Sequence, residues 1–173
     1  MKKHLKLIYV RHGDTNVNTG KLTLKGAKQI KGALKYLENE NVSAIFCSPR
    51  TRTLQSSNIL NEKFKAPLYI IKEINERQML SEGERFLYGD EFDANYLNYD
   101  YENDKFETCK DFIDRCFVGF DKIIEKAAKN STIIVCAHSS TLYALNTYLN
   151  GIPQNKQINW LQCSNATVIK FHL

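Results

Sequence analysis

Three short polar clusters contain the residue types that a phosphoryl-transfer site needs. Arg11 and His12 follow the apolar run "LKLIYV", Arg50 and Arg52 follow "SAIFCS", and His138 ends the run "IIVCAH". Arginine guanidinium groups bind phosphate oxygens through paired hydrogen bonds, and an imidazole can attack an electrophile. Brought together, these clusters would form an electropositive site for a dianionic phosphoryl group.

The two histidines are also potential metal ligands. A well-formed zinc site takes at least three protein ligands, and the nearby Arg11 and Arg52 would repel a cation. We therefore expect neither a metal nor another cofactor at these residues.

The elements that must position the clusters are visible as apolar runs of strand length. Alternating strands and helices predict an α/β fold, here a three-layer α/β/α sandwich with a mostly parallel central sheet. Because the carboxyl ends of parallel strands share one sheet edge, the clusters are expected to meet there, beside helix N-termini that favour an anion. The predicted strands are "LKLIYV", "SAIFCS", "PLYIIKEI", "STIIVCAH" and "NATVIKFHL".

Capping residues and apolar spacing predict the main helices. Thr23 is expected to cap the first, whose apolar residues from Leu24 to Leu37 recur at steps of three and four. Ser48 followed by Pro49 is typical of a second helix start. A third helix is predicted over about 107–128, and a fourth is predicted to begin near Ser139 or Ser140.

The stretch from about 77 to 105 interrupts this alternation. It is rich in Tyr, Asp, Glu and Asn and shows no sustained period. Long loops in compact domains are often lids or binding loops. We therefore predict a loop or lid excursion within a single domain that covers residues 1–173.

Composition restricts the function classes further. The net charge of +5 comes from lysines dispersed along helical stretches, which predicts no nucleic-acid partner. No segment has the roughly 18 apolar residues of a membrane span, so we expect no membrane partner and a cytoplasmic location. An odd number of cysteines without CxxC spacing predicts reduced, buried thiols: Cys47, Cys109, Cys116, Cys136 and Cys163.

These motifs resemble those of the histidine phosphatase superfamily, also called the phosphoglycerate mutase-like family. Residues 11–15, "RHGDT", resemble its R-H-G-[ED]-[TS] motif, and Asn18 stands where that pattern continues with Asn. Within "SPRTRTLQSS", the family's second arginine is similar in position to Arg52 rather than Arg50. Further similar segments follow in the family's order: "LTLKGAKQ", "ETCKDFIDR" and "IIVCAHSS".

The resemblance implies a mechanism that passes through a phosphohistidine. His12 would attack the phosphorus of a phosphomonoester, while Arg11, Arg52 and His138 hold the phosphoryl oxygens. Asn18, Arg77 and Ser139 are further candidates for phosphate or substrate binding.

The implied mechanism also needs a carboxylic acid to protonate the leaving oxygen. Glu73, Glu76, Glu82 and Glu84 are available after the third strand. We select Glu76, because "INERQ" resembles the corresponding segment of the cofactor-dependent mutases. Glu73 remains the alternative.

Three functions are consistent with these residues. The first is a metal-independent phosphomonoester hydrolase acting on a small phosphorylated metabolite. The others are a phosphoglycerate mutase, suggested by "INERQ", and a non-catalytic phosphate-binding module, suggested by Leu80 where the family has glycine. The short segment between Asn18 and Thr23 favours the hydrolase, since a mutase must shield its phosphohistidine from water. Nothing in the sequence indicates the oligomeric state.

Overall fold

The central sheet has the predicted mostly parallel architecture. In the computed structural model, which describes residues 4–173, the strands are β1 (Leu5–Arg11), β2 (Val42–Cys47), β3 (Leu68–Ile70), β4 (Ser131–Ala137) and β5 (Val168–His172). Their order in the sheet is β3-β2-β4-β1-β5, and the edge strand β5 alone pairs antiparallel. The predicted α/β fold is confirmed.

Helices cover both faces of this sheet and make the predicted three layers. Alternate residues of β1 point to opposite faces: Leu7 joins a core cluster with Phe112 and Leu142, and Ile8 joins another with Ile30. The helices are α1 (Leu24–Ala33), α2 (Thr51–Phe64), α3 (Glu82–Ala94), α4 (Cys109–Lys126) and α5 (Ser139–Asn150), with short 3₁₀ turns at Leu34–Leu37 and Lys72–Ile74.

The third strand is shorter than the run "PLYIIKEI" predicts. Pairing with β2 ends at Ile70, and the chain then makes the turn Lys72–Ile74. This turn buries Ile74 fully, against Gly119 of α4, where an added Cβ would lie only 2.8 Å from the Ile74 side chain. Core burial of Ile74 therefore takes precedence over continued strand pairing.

Three of the four predicted helix starts are correct and one is wrong; the helix predicted over about 107–128 is α4, whose N-cap is Thr108. Thr23 caps α1 by accepting a hydrogen bond from the Gly26 N–H at 2.9 Å, and α5 begins at Ser139. Leu24, however, is 86% exposed and does not join the buried face of α1. Ser48 does not cap α2, whose N-cap is Arg50, because the Ser48 hydroxyl is bound to His138 instead.

The interruption at 77–105 is not a plain loop, because it contains α3. Ser81 and Glu84 form a capping box at the start of this helix. Only Phe92 of α3 is buried, whereas Phe86 is 89% exposed. A helix with a single buried residue has no apolar stripe, so its sequence contains no periodic signal.

The part of the chain that the structure describes contains neither a disulfide nor a membrane-spanning helix. All five cysteines are buried and free of disulfides. Across residues 4–173, no helix has the length and apolar character needed to cross a membrane.

Candidate active site

The three polar clusters meet where β1, β2 and β4 end. The backbone N–H of His12 donates to the Ala137 carbonyl at 3.1 Å, and that of Ser48 donates to the Cys136 carbonyl at 3.3 Å. These bonds extend the sheet register beyond the strands and hold the polar residues side by side. A cavity of about 300 Å³ opens there, lined by Arg11, His12, Thr15, Asn16, Val17, Gly20, Arg52 and Glu76.

His12 presents an unprotonated nitrogen to this cavity. Its Nδ1 lies 2.7 Å from the Gly13 carbonyl, which can only accept a hydrogen bond, so the ring proton resides on Nδ1. Nε2 then keeps its lone pair and accepts from Arg52 Nε at 3.1 Å. Burial lowers the pKa of His12 to about 4, aided by Arg52 and Arg11 and opposed by the Gly13 hydrogen bond. His12 is therefore a neutral potential nucleophile at neutral pH.

This burial predicts that acid destabilises the fold through His12. The pKa of His12 is about 4 in the folded protein against an ordinary value of 6.5. The unfolded chain therefore binds more protons, and the free energy of unfolding falls as the pH drops from 6.5 towards 4. At about pH 5 the loss is about 2 kcal/mol. Between about pH 7 and pH 5, urea unfolding should show that the free energy of unfolding falls by about 2 kcal/mol more in the wild type than in His12→Asn. Equal decreases in the two proteins would contradict this prediction.

His138 lies fully buried beside His12, with its ring edge-to-face at a centroid distance of 5.3 Å. Burial lowers its pKa, as do His12 and Arg52 nearby. Nε2 lies 2.7 Å from Ser48 Oγ, whereas Nδ1 has no hydrogen-bond partner among residues 4–173 and lies 3.8 Å from Glu76 Oε2. One nitrogen is thus held by the protein and the other is left for a ligand.

Ser48 controls which nitrogen of His138 carries the proton. Its hydroxyl also lies 2.8 Å from the hydroxyl of Thr53, and either can be the donor of this pair. When Thr53 donates to Ser48, Ser48 can donate its own proton to His138 Nε2, and this places the ring proton on Nδ1, the nitrogen without a partner. Ser48 is a positioning residue in this arrangement.

Replacing Ser48 by alanine should therefore disturb His138 more than it disturbs the fold. The variant leaves Nε2 buried without a partner, which costs about 1–3 kcal/mol, and lets the ring proton occupy either nitrogen. If His138 orients a phosphoryl group, kcat/KM for phosphate release should fall about 10–100-fold. Nitrogen NMR of the imidazole should show a changed tautomer. The exposed Ser43→Ala is the matched control, and an unchanged tautomer in Ser48→Ala would refute the positioning role.

Two arginines and one glutamate complete the cluster. Arg52 Nη2 forms an ion pair with Glu76 Oε2 while Nε contacts His12. Arg11 Nη1 donates to the Cys163 carbonyl, and its buried Nε has no hydrogen-bond partner within the described chain. Because Arg11 also lines the cavity, this unsatisfied buried donor is available to an anion.

Close backbone packing fixes the loop after His12. A Cβ on Gly13 would lie 2.4 Å from the Gly26 carbonyl oxygen, and one on Gly26 would lie 2.1 Å from the Asp14 carbonyl oxygen. Only glycine permits this approach. The Thr23 hydroxyl also donates to Asp14 Oδ2 at 2.7 Å. These contacts hold the start of α1 against the loop that carries His12.

Of the four candidate acids, only Glu76 joins the cluster. Glu73 forms an ion pair with Lys122 at 2.5 Å, on the side of α4. Glu82 and Glu84 lie in the first turn of α3, where Glu84 serves the capping box. The structure thus places the acid selected from the sequence, Glu76, beside both histidines.

Arg77 and Asn18, both predicted to bind substrate, are not brought to the cavity. Arg77 is 2% exposed, and its guanidinium donates to the carbonyls of Tyr96 and Glu107 and lies over the Tyr96 ring at 4.2 Å. Its interactions attach the segment containing α3 to the body. Asn18 has an exposed side chain in a loop shaped by Asn16 Oδ1, which accepts its N–H. Neither residue lines the cavity.

Ser139 stands at the first position of α5, immediately after His138. Its hydroxyl accepts a contact from Cys163 Sγ at 3.8 Å. Ser139 is half-buried beside the cavity but does not line it. Its position at a helix N-terminus suits an anion.

One ligand atom each from His12, Glu76 and His138 lies within 4.8 Å of the others, a set that could hold a metal ion. Arg52, however, already engages both Glu76 Oε2 and His12 Nε2. A cation could bind these atoms only by displacing the Arg52 guanidinium, and it would then be repelled by that positive charge nearby. The donor set therefore fits a metal poorly.

Sequence reasoning missed several residues that shape the site. The pair Ser48 and Pro49 is typical of a helix start, but the Ser48 hydroxyl holds His138. The buried Tyr9 donates its hydroxyl to the His138 carbonyl. Thr15, Asn16 and Val17 line the cavity from the loop after the R-H-G motif. The one sequence feature that could have identified Thr15, Asn16 and Val17 is that they follow His12 within five residues.

A relative of known sequence and two solved structures resemble this chain over most of its length. The protein named "Uncharacterized phosphatase PhoE" of Bacillus subtilis strain 168 is 27% identical over 158 residues, covering 82% of this chain and 76% of that protein. The solved structure of Bacillus stearothermophilus YhfR matches with a TM-score of 0.79 at 20% identity, covering 96% of this chain and 90% of that one. A mycobacterial glucosyl-3-phosphoglycerate phosphatase, solved with VO3, matches with a TM-score of 0.75 at 19% identity, covering 95% and 91%.

The family model described as "Histidine phosphatase superfamily (branch 1)" matches residues 7–173. This range includes each element that contributes to the cavity. The resemblance inferred from the motifs is confirmed, and the chain belongs to branch 1 of the histidine phosphatase superfamily.

Proposed function

We propose that this protein is a metal-independent phosphomonoester hydrolase that works through a phosphohistidine on His12. The observation that carries the proposal is the unprotonated His12 Nε2 at a cavity that Arg52 and Glu76 also line, with the buried His138 packed against the His12 ring. Its proton is held on the opposite nitrogen by Gly13. Such a nitrogen needs no base to attack phosphorus.

In the first step, His12 Nε2 forms a bond to phosphorus as the bond to the ester oxygen breaks. Arg52, Arg11 Nε and His138 Nδ1 would donate to the phosphoryl oxygens, where charge is concentrated in the transition state. As Arg52 moves onto the phosphoryl group, it releases Glu76. Once released, the Glu76 carboxylate takes up a proton from water or from the monoanionic ester, and it donates this proton to the leaving oxygen.

In the second step, the carboxylate of Glu76 takes a proton from water. That water attacks phosphorus, and the bond to His12 Nε2 breaks with its electron pair returning to the ring. Inorganic phosphate leaves, while Glu76 is again protonated and ready for the next ester. The cycle balances without a metal or another cofactor.

Hydrolysis is favoured over mutase chemistry by the open rim of the cavity. Val17, on this rim, is 92% exposed, and only a short loop connects it to α1. Water can therefore reach a phosphohistidine there. Two of the proteins named above are called phosphatases, and one of these is named for glucosyl-3-phosphoglycerate. A small phosphorylated metabolite is the substrate class we propose.

The test is phosphate release from a panel of small phosphomonoesters, including p-nitrophenyl phosphate, with and without EDTA. We expect release at equal rates in both conditions, since Arg52 occupies the candidate metal ligands. Loss of activity in EDTA, with recovery on adding a divalent cation, would contradict metal independence. Phosphate binding without release would favour the binding module, and transfer of phosphate between positions of glycerate would favour the mutase.

A further inference from the structure

A second polar cavity lies next to the phosphate site and shares one wall with it. Its volume is about 220 Å³. Glu76 lines both cavities, so the two meet at the proposed proton donor. The other lining residues all have polar side chains: Arg50, Lys72, Asn75, Gln78, Glu107 and Arg115.

The charges that line this cavity do not cancel. Arg115 is paired with Glu107 at 2.6 Å, and Glu76 is paired with Arg52 from the neighbouring cavity. Among residues 4–173, no carboxylate lies within ion-pair distance of Arg50 or Lys72. Arg50 and Lys72 are therefore two lining cations without a carboxylate partner, because both lining carboxylates are engaged by Arg115 and Arg52.

Arg50 is held in a position that leaves most of its donors available. Its Nε donates to Asn75 Oδ1 at 3.0 Å, and the same oxygen accepts the Glu76 N–H at 2.9 Å. Asn75 thus ties the guanidinium to the backbone of the proposed proton donor. No hydrogen bond within the described chain uses the Arg50 Nη atoms, which can bind an anion as a fork.

The position of Glu76 indicates which part of the substrate would enter this cavity. A general acid must lie within hydrogen-bond reach of the leaving oxygen. The leaving group of a bound ester therefore extends past Glu76, away from His12. The Arg50 cavity is lined by Glu76 but not by His12, so it is available to the remainder of the substrate.

We propose that Arg50 and Lys72 form a subsite for an anionic group on the leaving alcohol of the substrate. This proposal rests on the proposed function, because it takes Glu76 as the residue nearest the leaving oxygen. The preferred substrates are then phosphomonoesters whose alcohol carries a carboxylate or a second phosphate. A neutral alcohol leaves two cations of the subsite without a partner.

The test compares propyl phosphates that carry a hydroxyl, a carboxylate or a second phosphate at the distal end. Their Kd values are measured by calorimetry, and phosphate release is followed separately. Wild type should bind at least one anionic compound about 10-fold more tightly than the hydroxyl compound. In Arg50→Gln/Lys72→Gln this ratio should fall to about 2-fold or less. The carboxylate and bisphosphate arms identify which anion is preferred.

A double variant on α1, Lys28→Gln/Lys31→Gln, is the matched control, because it removes the same charge from exposed positions outside both cavities. It should keep the wild-type ratio. The subsite is refuted if wild type binds all three compounds equally, if the preference survives in the Arg50/Lys72 variant, or if the control also loses it. Absence of phosphate release with the preference intact would refute the hydrolase but not the subsite.

Discussion

Replacement of His12 by alanine is expected to lower kcat/KM for phosphate release by about 10⁴-fold or more, because it removes the attacking atom itself. Arg11, Arg52 and His138 remain and still bind phosphate, so Kd for inorganic phosphate should change far less than the rate. Rapid denaturing quench of the wild type during turnover should trap an acid-labile phosphoryl group on the protein. The His12→Ala variant should trap none.

His172 provides a matched control for this experiment. It is an exposed histidine at the end of the edge strand β5, so His172→Ala removes an imidazole from outside the cavity. We expect wild-type turnover and wild-type trapping from this variant. If His12→Ala turned over substrate at a rate close to that of the wild type, the phosphohistidine mechanism would be refuted.

The fold could be predicted because its sheet is buried on both faces. Strands β1 and β4 have nearly continuous apolar sequences, and five consecutive residues of β4, from Ile133 to Ala137, are fully buried. Such runs identify a parallel sheet covered by helices. Helix α3 lacked this kind of signal, since it buries only Phe92.

The centre of the site could be predicted because topology alone brings it together. His12, Arg52 and His138 each follow a parallel strand, and the ends of such strands meet at one edge. The direction of a side chain is not fixed in this way. Glu76 and Arg77 are neighbours in sequence, yet Glu76 pairs with Arg52 whereas Arg77 is buried against the segment that contains α3.

Choosing among similar residues also required the structure. Glu73 and Glu76 are both close to the third strand, but Glu73 lies within the turn Lys72–Ile74 and pairs with Lys122, whereas Glu76 follows the turn and pairs with Arg52. Ser48 has the position of a helix cap, but its hydroxyl is used by His138, which comes 90 residues later. Contacts between residues far apart in sequence cannot be deduced from local pattern.

Replacement of Glu76 by glutamine is expected to slow the two chemical steps unequally. Glutamine can neither donate a proton to the leaving oxygen nor take one from water, and loss of a general acid–base group costs about 10²–10⁴-fold. An alkyl phosphate needs the acid in the first step and should show this full loss. p-Nitrophenolate leaves without protonation, so with p-nitrophenyl phosphate the loss should fall on the second step alone.

The first turnover therefore distinguishes the role of Glu76 as general acid in the first step from its role as general base in the second. With p-nitrophenyl phosphate, Glu76→Gln should give a burst of nitrophenolate equal to the enzyme concentration, followed by slow release as the phosphohistidine accumulates. Glu73→Gln is the matched control: it removes a partly exposed ion pair with Lys122, worth at most about 1 kcal/mol, and should keep wild-type rates. A burst absent from Glu76→Gln, with both substrates slowed equally, would assign Glu76 to binding instead. Loss of activity in Glu73→Gln would move the proton donor to Glu73.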